Sequence, residues 1–141
     1  AVSTAVKRRE ERAARLHELR EALVDGVLQA VPDAVVNGPS DPRRRLPGIA
    51  HLSFPGCEGD AMMMLLDAHG IDCSTGAACA AGVPEPSHVL LAMGADPLRA
   101  RSSLRFSLGH SSVRADVDAL VAVVGSVAER ARAAGYMNVK G

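Results

Sequence analysis

The chain has 141 residues, of which 48% are hydrophobic, and its 16 Lys and Arg residues balance its 16 Asp and Glu residues. A chain of this length and composition fits a single domain with a buried core, so extensive disorder is excluded. The formal net charge of zero argues against a nucleic-acid or membrane-surface binder, because such proteins need a basic excess.

The three cysteines, Cys57, Cys73 and Cys79, are an odd number and form no CxxC pair. This spacing predicts neither a disulfide framework nor a zinc site, and we expect no metal. A reducing cytoplasm fits the free thiols best, and neither a signal peptide nor a membrane-spanning apolar run is apparent. The chain lacks an initiator Met and enters a helical pattern at once, so we expect a processed chain or a piece of a longer one.

In chain order, the first predicted element is a helix over residues 4–29 with an apolar stripe at spacings of three and four. Residues 34–36 and 49–54 read as strands, and in the second of these Ala50, Leu52 and Phe54 share one face. A short helix is predicted over 60–69, ended by a left-handed Gly70, with its methionines buried on most sides.

The second half begins with a predicted third strand over 71–73, which leads into a loop carrying Cys79. Ser87 is expected to cap a short helix over 88–93, and Asp96 caps another that starts with Pro97. A strand follows over 104–108, and a helix capped by Ser112 runs to about residue 134, where Gly135 ends it before a tail over 136–141. This order predicts an α+β fold, with helices packed on a short mixed sheet.

Cys79 lies in the stretch 74–82 (STGAACAAG), among small side chains that leave its sulfur unshielded. Helix-start signals flank it, and their partial positive charge favours a thiolate. This pattern is compatible with two interpretations of Cys79, a reactive thiol and an ordinary loop cysteine. Cys57 and Cys73 are instead interpreted as small packing residues.

Arg105 is a lone cation in an otherwise apolar strand. We expect it to be buried on a strand face, where it needs an anionic partner. Bidentate binding of a ligand carboxylate and a salt bridge to a nearby Asp or Glu are equally open. His88 is a weak candidate for a base, and His51 is interpreted as a hydrogen-bonded histidine rather than a ligand.

Four segments together resemble the pyridoxal-phosphate-dependent cysteine desulfurases, a class V aminotransferase-like family. They are residues 51–56 (HLSFPG), 74–79 (STGAAC), 85–90 (EPSHVL) and 103–109 (SLRFSLG). Their order and spacing match the family, and the likeness covers about residues 12–134. The loop differs only in Thr75 and Ala77, where serines are common.

The resemblance implies the small C-terminal domain of a fold-type I pyridoxal-phosphate-dependent transferase, usually a homodimer. It assigns Cys79 as the catalytic nucleophile, which takes the sulfur of L-cysteine as a persulfide while alanine leaves. It assigns Arg105 to the substrate carboxylate. The sulfur would pass to an acceptor or iron–sulfur scaffold protein in the cytoplasm.

The lysine that binds pyridoxal phosphate has no counterpart here, because the lysines are Lys7 and Lys140 and neither lies in a histidine–lysine motif. We therefore expect residues 1–141 to be the small domain alone. Residues 1–30 would continue a helix from a missing large domain, and the isolated chain would be inactive. The alternatives are a cofactor-free sulfur carrier or interaction module, an inert proteolytic remnant, and a selenocysteine lyase.

Overall fold

The computed structural model describes residues 2–75, 79–80, 83–84, 91–92, 94 and 96–139. The helices are α1 (Val2–Ala30), α2 (Gly59–Asp67), α3 (Pro97–Arg101) and α4 (Arg114–Val139), with a 3-10 turn at Pro42–Arg44. The strands are β1 (Val35–Val36), β2 (Ile49–Ser53), β3 (Ser74–Thr75), β4 (Cys79–Ala80), β5 (Val83–Pro84) and β6 (Ser103–Ser107).

The main sheet has four strands in the order β1-β2-β6-β3, and β4 and β5 form a separate two-residue hairpin. The α+β class predicted from the sequence is confirmed. The expectation of a mixed sheet was wrong for the described strands, because each described pair is antiparallel. The register places His51 opposite Arg105 and Ser74 opposite Arg105, so residues of three neighbouring strands form one row.

The hydrophobic core lies between one face of the sheet and the three longer helices. β2 contributes Ala50 and Leu52, followed directly by Phe54, and all three are fully buried as their alternation predicted. The stripe of α1 is half-buried at its start and buried at Leu23 and Val27. On α4, the residues at spacings of three and four are buried, namely Val117, Leu120, Val124, Val127 and Ala131. This burial fixes which face of the sheet is internal.

A buried arginine, Arg20, which the sequence analysis did not single out, anchors α1 to the sheet. Arg20 is 2% exposed, its Nε donates to the Ile49 carbonyl oxygen at 2.7 Å, and its guanidinium contacts the Glu21 carboxylate at 2.6 Å. Because both ends of the guanidinium have partners, the charge is tolerated inside the protein.

The region after α2 shows two departures from prediction. Met62 and Leu66 are buried but Met64 is 71% exposed, so α2 is buried on one side only and the expectation of burial on most sides was wrong. Gly70 does adopt the predicted left-handed conformation (φ 75°). The Ile71 amide donates to the Leu66 carbonyl and closes the turn that ends α2. Residues 71–73 form no strand, so the prediction of a strand there was wrong, and β3 begins at Ser74.

The ends of α3 and α4 were predicted unequally well. Asp96 caps α3 as expected, because its side chain accepts from the Arg99 amide. Ser112 does not cap α4: its hydroxyl accepts from the Gly109 amide, while Asp116 accepts from the Val113 amide, at the residue before the helix. Gly135 does not end α4 either, since it lacks the positive φ of a helix-ending glycine and the helix continues to Val139.

The predicted helix over 88–93, with its cap Ser87, lies mostly outside the described residues, and only 91–92 are described as helical. Within the described part of the chain, no helix combines the length and hydrophobicity needed to cross a membrane.

Candidate functional site

The side of the sheet that faces away from the core is mostly polar, with Ile49 and Val35 as apolar members, and we call it the open face. Residues of β2 and β6 alternate between the two sides, so His51, Ser53, Ser103 and Arg105 share the open face. Ser74 of β3 joins them because it pairs with Arg105. The core cluster draws its sheet residues from the opposite side. Ser53 and Ser103, at the α3 end of the open face, are fully buried.

Arg105 lies in the middle of the open face, between His51 and Ser74. Its side chain is exposed, so the expectation that it would be buried was wrong for this chain. The salt-bridge alternative also fails within the described residues, where no carboxylate lies within 4.0 Å of its guanidinium. Arg105 is therefore an exposed cation on β6 without a carboxylate partner among the described residues.

A buried amide fixes the histidine beside Arg105. Asn37 follows β1 and is 6% exposed; its Nδ2 lies 3.0 Å from His51 Nδ1 and donates to Ser53 Oγ at 2.8 Å. The other end of the amide, Oδ1, accepts from Arg99 Nε at 3.0 Å and from a second Arg99 nitrogen at 2.6 Å. The two arginine donors fix which end of the amide faces His51.

The same hydrogen-bond network includes the backbone carbonyl of Arg99 in α3. The hydroxyls of Ser53, Ser102 and Ser103 all donate to the Arg99 carbonyl, at 3.1, 3.0 and 2.7 Å. Every buried side-chain nitrogen and oxygen among the described residues has a partner. Because polar groups are expensive to bury unpaired, this network rigidly holds the end of the open face next to α3.

The protein environment lowers the pKa of His51. Its burial is the larger cause, because it disfavours the charged imidazolium, and the positive charge of Arg105 adds to it. His51 is therefore neutral at physiological pH. The sequence-based interpretation of His51 as a hydrogen-bonded histidine rather than a metal ligand agrees with its contact to Asn37.

Cys79 opens the hairpin that follows β3. Its backbone pairs with that of Pro84 in the β4–β5 hairpin. The predicted exposure of its sulfur lies outside the described residues, as does His88. Cys79 is the fifth residue after Ser74, so their Cα atoms are at most roughly 18 Å apart, at about 3.6 Å per residue. Cys79 is thus tethered within that distance of Ser74.

The other two cysteines pack, as predicted. Cys57 is buried, and its thiol contacts the Ala128 carbonyl at 3.5 Å. Burial raises the pKa of Cys57 despite the neighbouring Arg132. Burial also raises the pKa of Cys73 to about 11, with Asp72 and Asp67 adding to the shift. Both thiols are therefore poor nucleophiles at neutral pH.

A cavity of about 530 Å³ lies beyond the Ser53 end of the open face, between α3 and α4. Two of its arginines already have partners: Arg132 contacts both carboxylate oxygens of Asp33 at 2.8 Å, and Arg99 holds Asn37. Neither Arg105 nor His51 lines this cavity. Arg99 and Arg132 thus hold the fold together, while the third arginine on the cavity wall, Arg101, is exposed.

Sequence reasoning found Arg105 but missed Asn37 and Arg99. Asn37 was interpreted only as part of a turn signal, and its partners lie 14, 16 and 62 residues away in the chain. The single hint was the Asn37-Gly38 pair directly after a strand, which also fits an ordinary turn.

Comparison with known proteins gives the family. Residues 5–120 match the family described as Aminotransferase class-V. The chain belongs to this family. It is 58% identical over 134 residues to an IscS-like cysteine desulfurase from Mycobacterium tuberculosis (strain ATCC 25618 / H37Rv), covering 95% of this chain and 34% of that protein. It is 44% identical over 115 residues to a cysteine desulfurase from Cereibacter sphaeroides, covering 82% of this chain and 29% of the relative.

Solved structures agree with this family assignment. The chain resembles a NifS-like protein from Rickettsia africae ESF-5 with a TM-score of 0.70 and 25% identity, over 84% of this chain and 29% of the other. A second NifS-like protein aligns with a TM-score of 0.73 and 28% identity, over 90% of this chain and 30% of the other. The chain thus spans about a third of the length of the curated relatives it matches.

Proposed function

We propose that this chain is the small domain of a cysteine desulfurase, with Cys79 as the sulfur-accepting nucleophile and Arg105 as the binding residue for the substrate carboxylate. The observation that carries the proposal is the exposed Arg105 on the open face, with no carboxylate partner among the described residues. A planar guanidinium on a rigid strand suits bidentate carboxylate recognition.

The proposed reaction converts L-cysteine and the Cys79 thiol into L-alanine and a Cys79 persulfide. The carbon–sulfur bond of the substrate breaks and a sulfur–sulfur bond forms. The electron pair of the broken bond stays with carbon, which takes up a proton, while the sulfur atoms are oxidised by the same two electrons. The reaction balances without an added oxidant or reductant.

The two residues suit different parts of this reaction. Arg105 is held by pairing on both sides of β6, so it can fix the carboxylate in one orientation. Cys79 lies on a short hairpin after β3, and its strand pairs only with β5 among the described strands. This arrangement supports a nucleophile that reaches the bound substrate and then presents sulfur to an acceptor.

Pyridoxal phosphate, the cofactor expected from the resemblance, does not fit this chain by itself. A Schiff-base lysine would have to lie beside the Arg105 row. Lys7, the described lysine, is exposed in the half of α1 where residues 3–12 are all exposed. We therefore assign the cofactor-binding residues to a large domain beyond residues 1–141, which α1 would join.

The remaining features of the complete enzyme follow as parts of the same proposal. They are a homodimer in the cytoplasm, L-cysteine as substrate, and a sulfur-acceptor or iron–sulfur scaffold protein as partner. A carboxylate-binding Arg105 would recognise L-cysteine and L-selenocysteine equally, so the choice between them depends on other groups.

The test is sulfide release from L-cysteine by the full-length enzyme in the presence of a reducing thiol. We expect Cys79→Ser to abolish release and Cys57→Ser, the matched control, to retain it, because Cys57 packs against Ala128 and has a raised pKa. Undiminished release from the Cys79→Ser enzyme would refute the assignment.

A sulfur carrier that works without cofactor is the second candidate, favoured because neither Lys7 nor Lys140 lies in a histidine–lysine motif. Incubation of the 141-residue chain with a small persulfide donor separates the two functions. A stable added sulfur on Cys79 of this chain, together with desulfurase activity that survives Cys79→Ser in the full-length protein, would favour the carrier.

A further inference from the structure

His51 stands directly opposite Arg105 on the neighbouring strand. Side chains of directly opposed residues in an antiparallel pair project from the same face, with Cβ atoms about 5 Å apart. The imidazole and the guanidinium thus reach the same volume above the sheet. An anion bound by Arg105 above the sheet can therefore come within range of the histidine ring.

The hydrogen bonds around Asn37 decide which histidine nitrogen carries the proton. Asn37 Oδ1 accepts from Arg99 twice, so the amide nitrogen must face His51. An amide nitrogen only donates, and His51 Nδ1, 3.0 Å away, must therefore accept. A neutral imidazole with an accepting Nδ1 carries its proton on Nε2, so His51 presents an N–H donor.

Among the described residues, the hydrogen bond to Asn37 is the one that the His51 side chain makes, so this donor has no partner there. The ring is half-buried, so its free edge can reach a ligand. On the other side of Arg105, Ser74 is small and leaves the guanidinium accessible.

We infer that His51 is a second binding residue for the substrate carboxylate, donating from Nε2 beside the bidentate guanidinium of Arg105. Asn37 and Arg99 are positioning residues, which hold the ring in this tautomer. The inference rests on the proposed function, because it takes an amino-acid carboxylate as the anion. Three N–H donors from two adjacent strands would then surround one carboxylate.

The kinetic test compares His51→Phe, His51→Gln, His69→Phe and Arg105→Ala variants of the full-length enzyme with L-cysteine as substrate. His51→Phe keeps the ring shape without the donor, and we expect KM to rise about tenfold with kcat little changed, as for one lost hydrogen bond to a charged group. His51→Gln carries an amide donor and should recover most of the affinity. His69→Phe, in the exposed turn after α2, is the control with an unchanged KM.

Arg105→Ala distinguishes the two levels of the proposal. A raised KM in Arg105→Ala with a normal KM in His51→Phe would overturn the role of His51 and leave the proposed function standing. A normal KM in Arg105→Ala would overturn both. Equal losses in His51→Phe and His51→Gln would show that the ring acts through packing, which also contradicts a donor role.

The tautomer is tested independently of turnover by long-range ¹H–¹⁵N NMR of the histidine rings of the 141-residue chain. We expect His51 to show a protonated Nε2 and an unprotonated Nδ1, and Asn37→Leu to shift the ring toward a mixture of tautomers. A protonated Nδ1 in the unmodified chain would overturn the inference.

Discussion

Successive side chains of β6 alternate between the two faces of the sheet, and the two faces have different environments. Leu104 and Phe106 point into the core, where helices of the same chain bury them. Arg105, between them in sequence, points the other way and is exposed. The residues on the core face are buried by helices of this chain, whereas the open face carries an exposed positive charge and hydrogen-bond donors. A strand can thus stabilise the fold with one set of residues and recognise a ligand with the next.

The largest effect that this comparison predicts is on stability. Leu52 is fully buried on the core face, so we expect Leu52→Ala to lower the free energy of unfolding of the 141-residue chain by about 2–5 kcal/mol. Arg105→Ala on the open face should change it by less than about 0.5 kcal/mol. Urea unfolding of both variants measures the difference, and similar losses would contradict the division between the faces.

A smaller loss is expected where the open face is rigidly held. Asn37→Leu removes the partner of His51, Ser53 and Arg99, and unpaired buried groups cost about 1–3 kcal/mol. Ser107→Ala, an exposed change on the same face, serves as the control. If the two variants unfold at the same urea concentration, the Asn37 network does not hold this end of the sheet.

The smallest effect at neutral pH concerns thiol reactivity. The pKa of Cys73 rises from its ordinary 9.0 to about 11, so at pH 8 it holds about a hundredfold less thiolate than an unperturbed cysteine. We expect iodoacetamide to label Cys73 slowly in the folded chain, faster as the pH rises toward 11, and at an ordinary rate in urea. Equal labelling rates in the folded and unfolded chain would place Cys73 outside the packed region.

Local rules predicted those elements whose causes lie close in sequence. The alternation of Ala50, Leu52 and Phe54, the Asp96 cap and the left-handed Gly70 all depend on neighbours within a few residues, and the structure confirms each. The third strand and the end of α4 were misplaced, because a glycine or a short apolar run has the same local appearance inside and outside an element.

Features that depend on contacts between distant parts of the chain could not be predicted from local sequence rules. The exposure of Arg105 depends on which side of the sheet the helices cover, and the role of Asn37 depends on Arg99, 62 residues away. For the site, the motifs supplied Cys79 and Arg105 as candidates. The histidine donor beside Arg105 required the strand register and the direction of one amide.

The most direct measurement of the central claim is to locate the sulfur after the full-length enzyme meets L-cysteine labelled with a heavy sulfur isotope. A single turnover without reducing thiol, followed by alkylation and peptide mass spectrometry, identifies the cysteine that holds the label. The account predicts one labelled sulfur on the peptide containing Cys79 and none on those containing Cys57 or Cys73. Label on either of those peptides, or alanine formed without any label on Cys79, would contradict it.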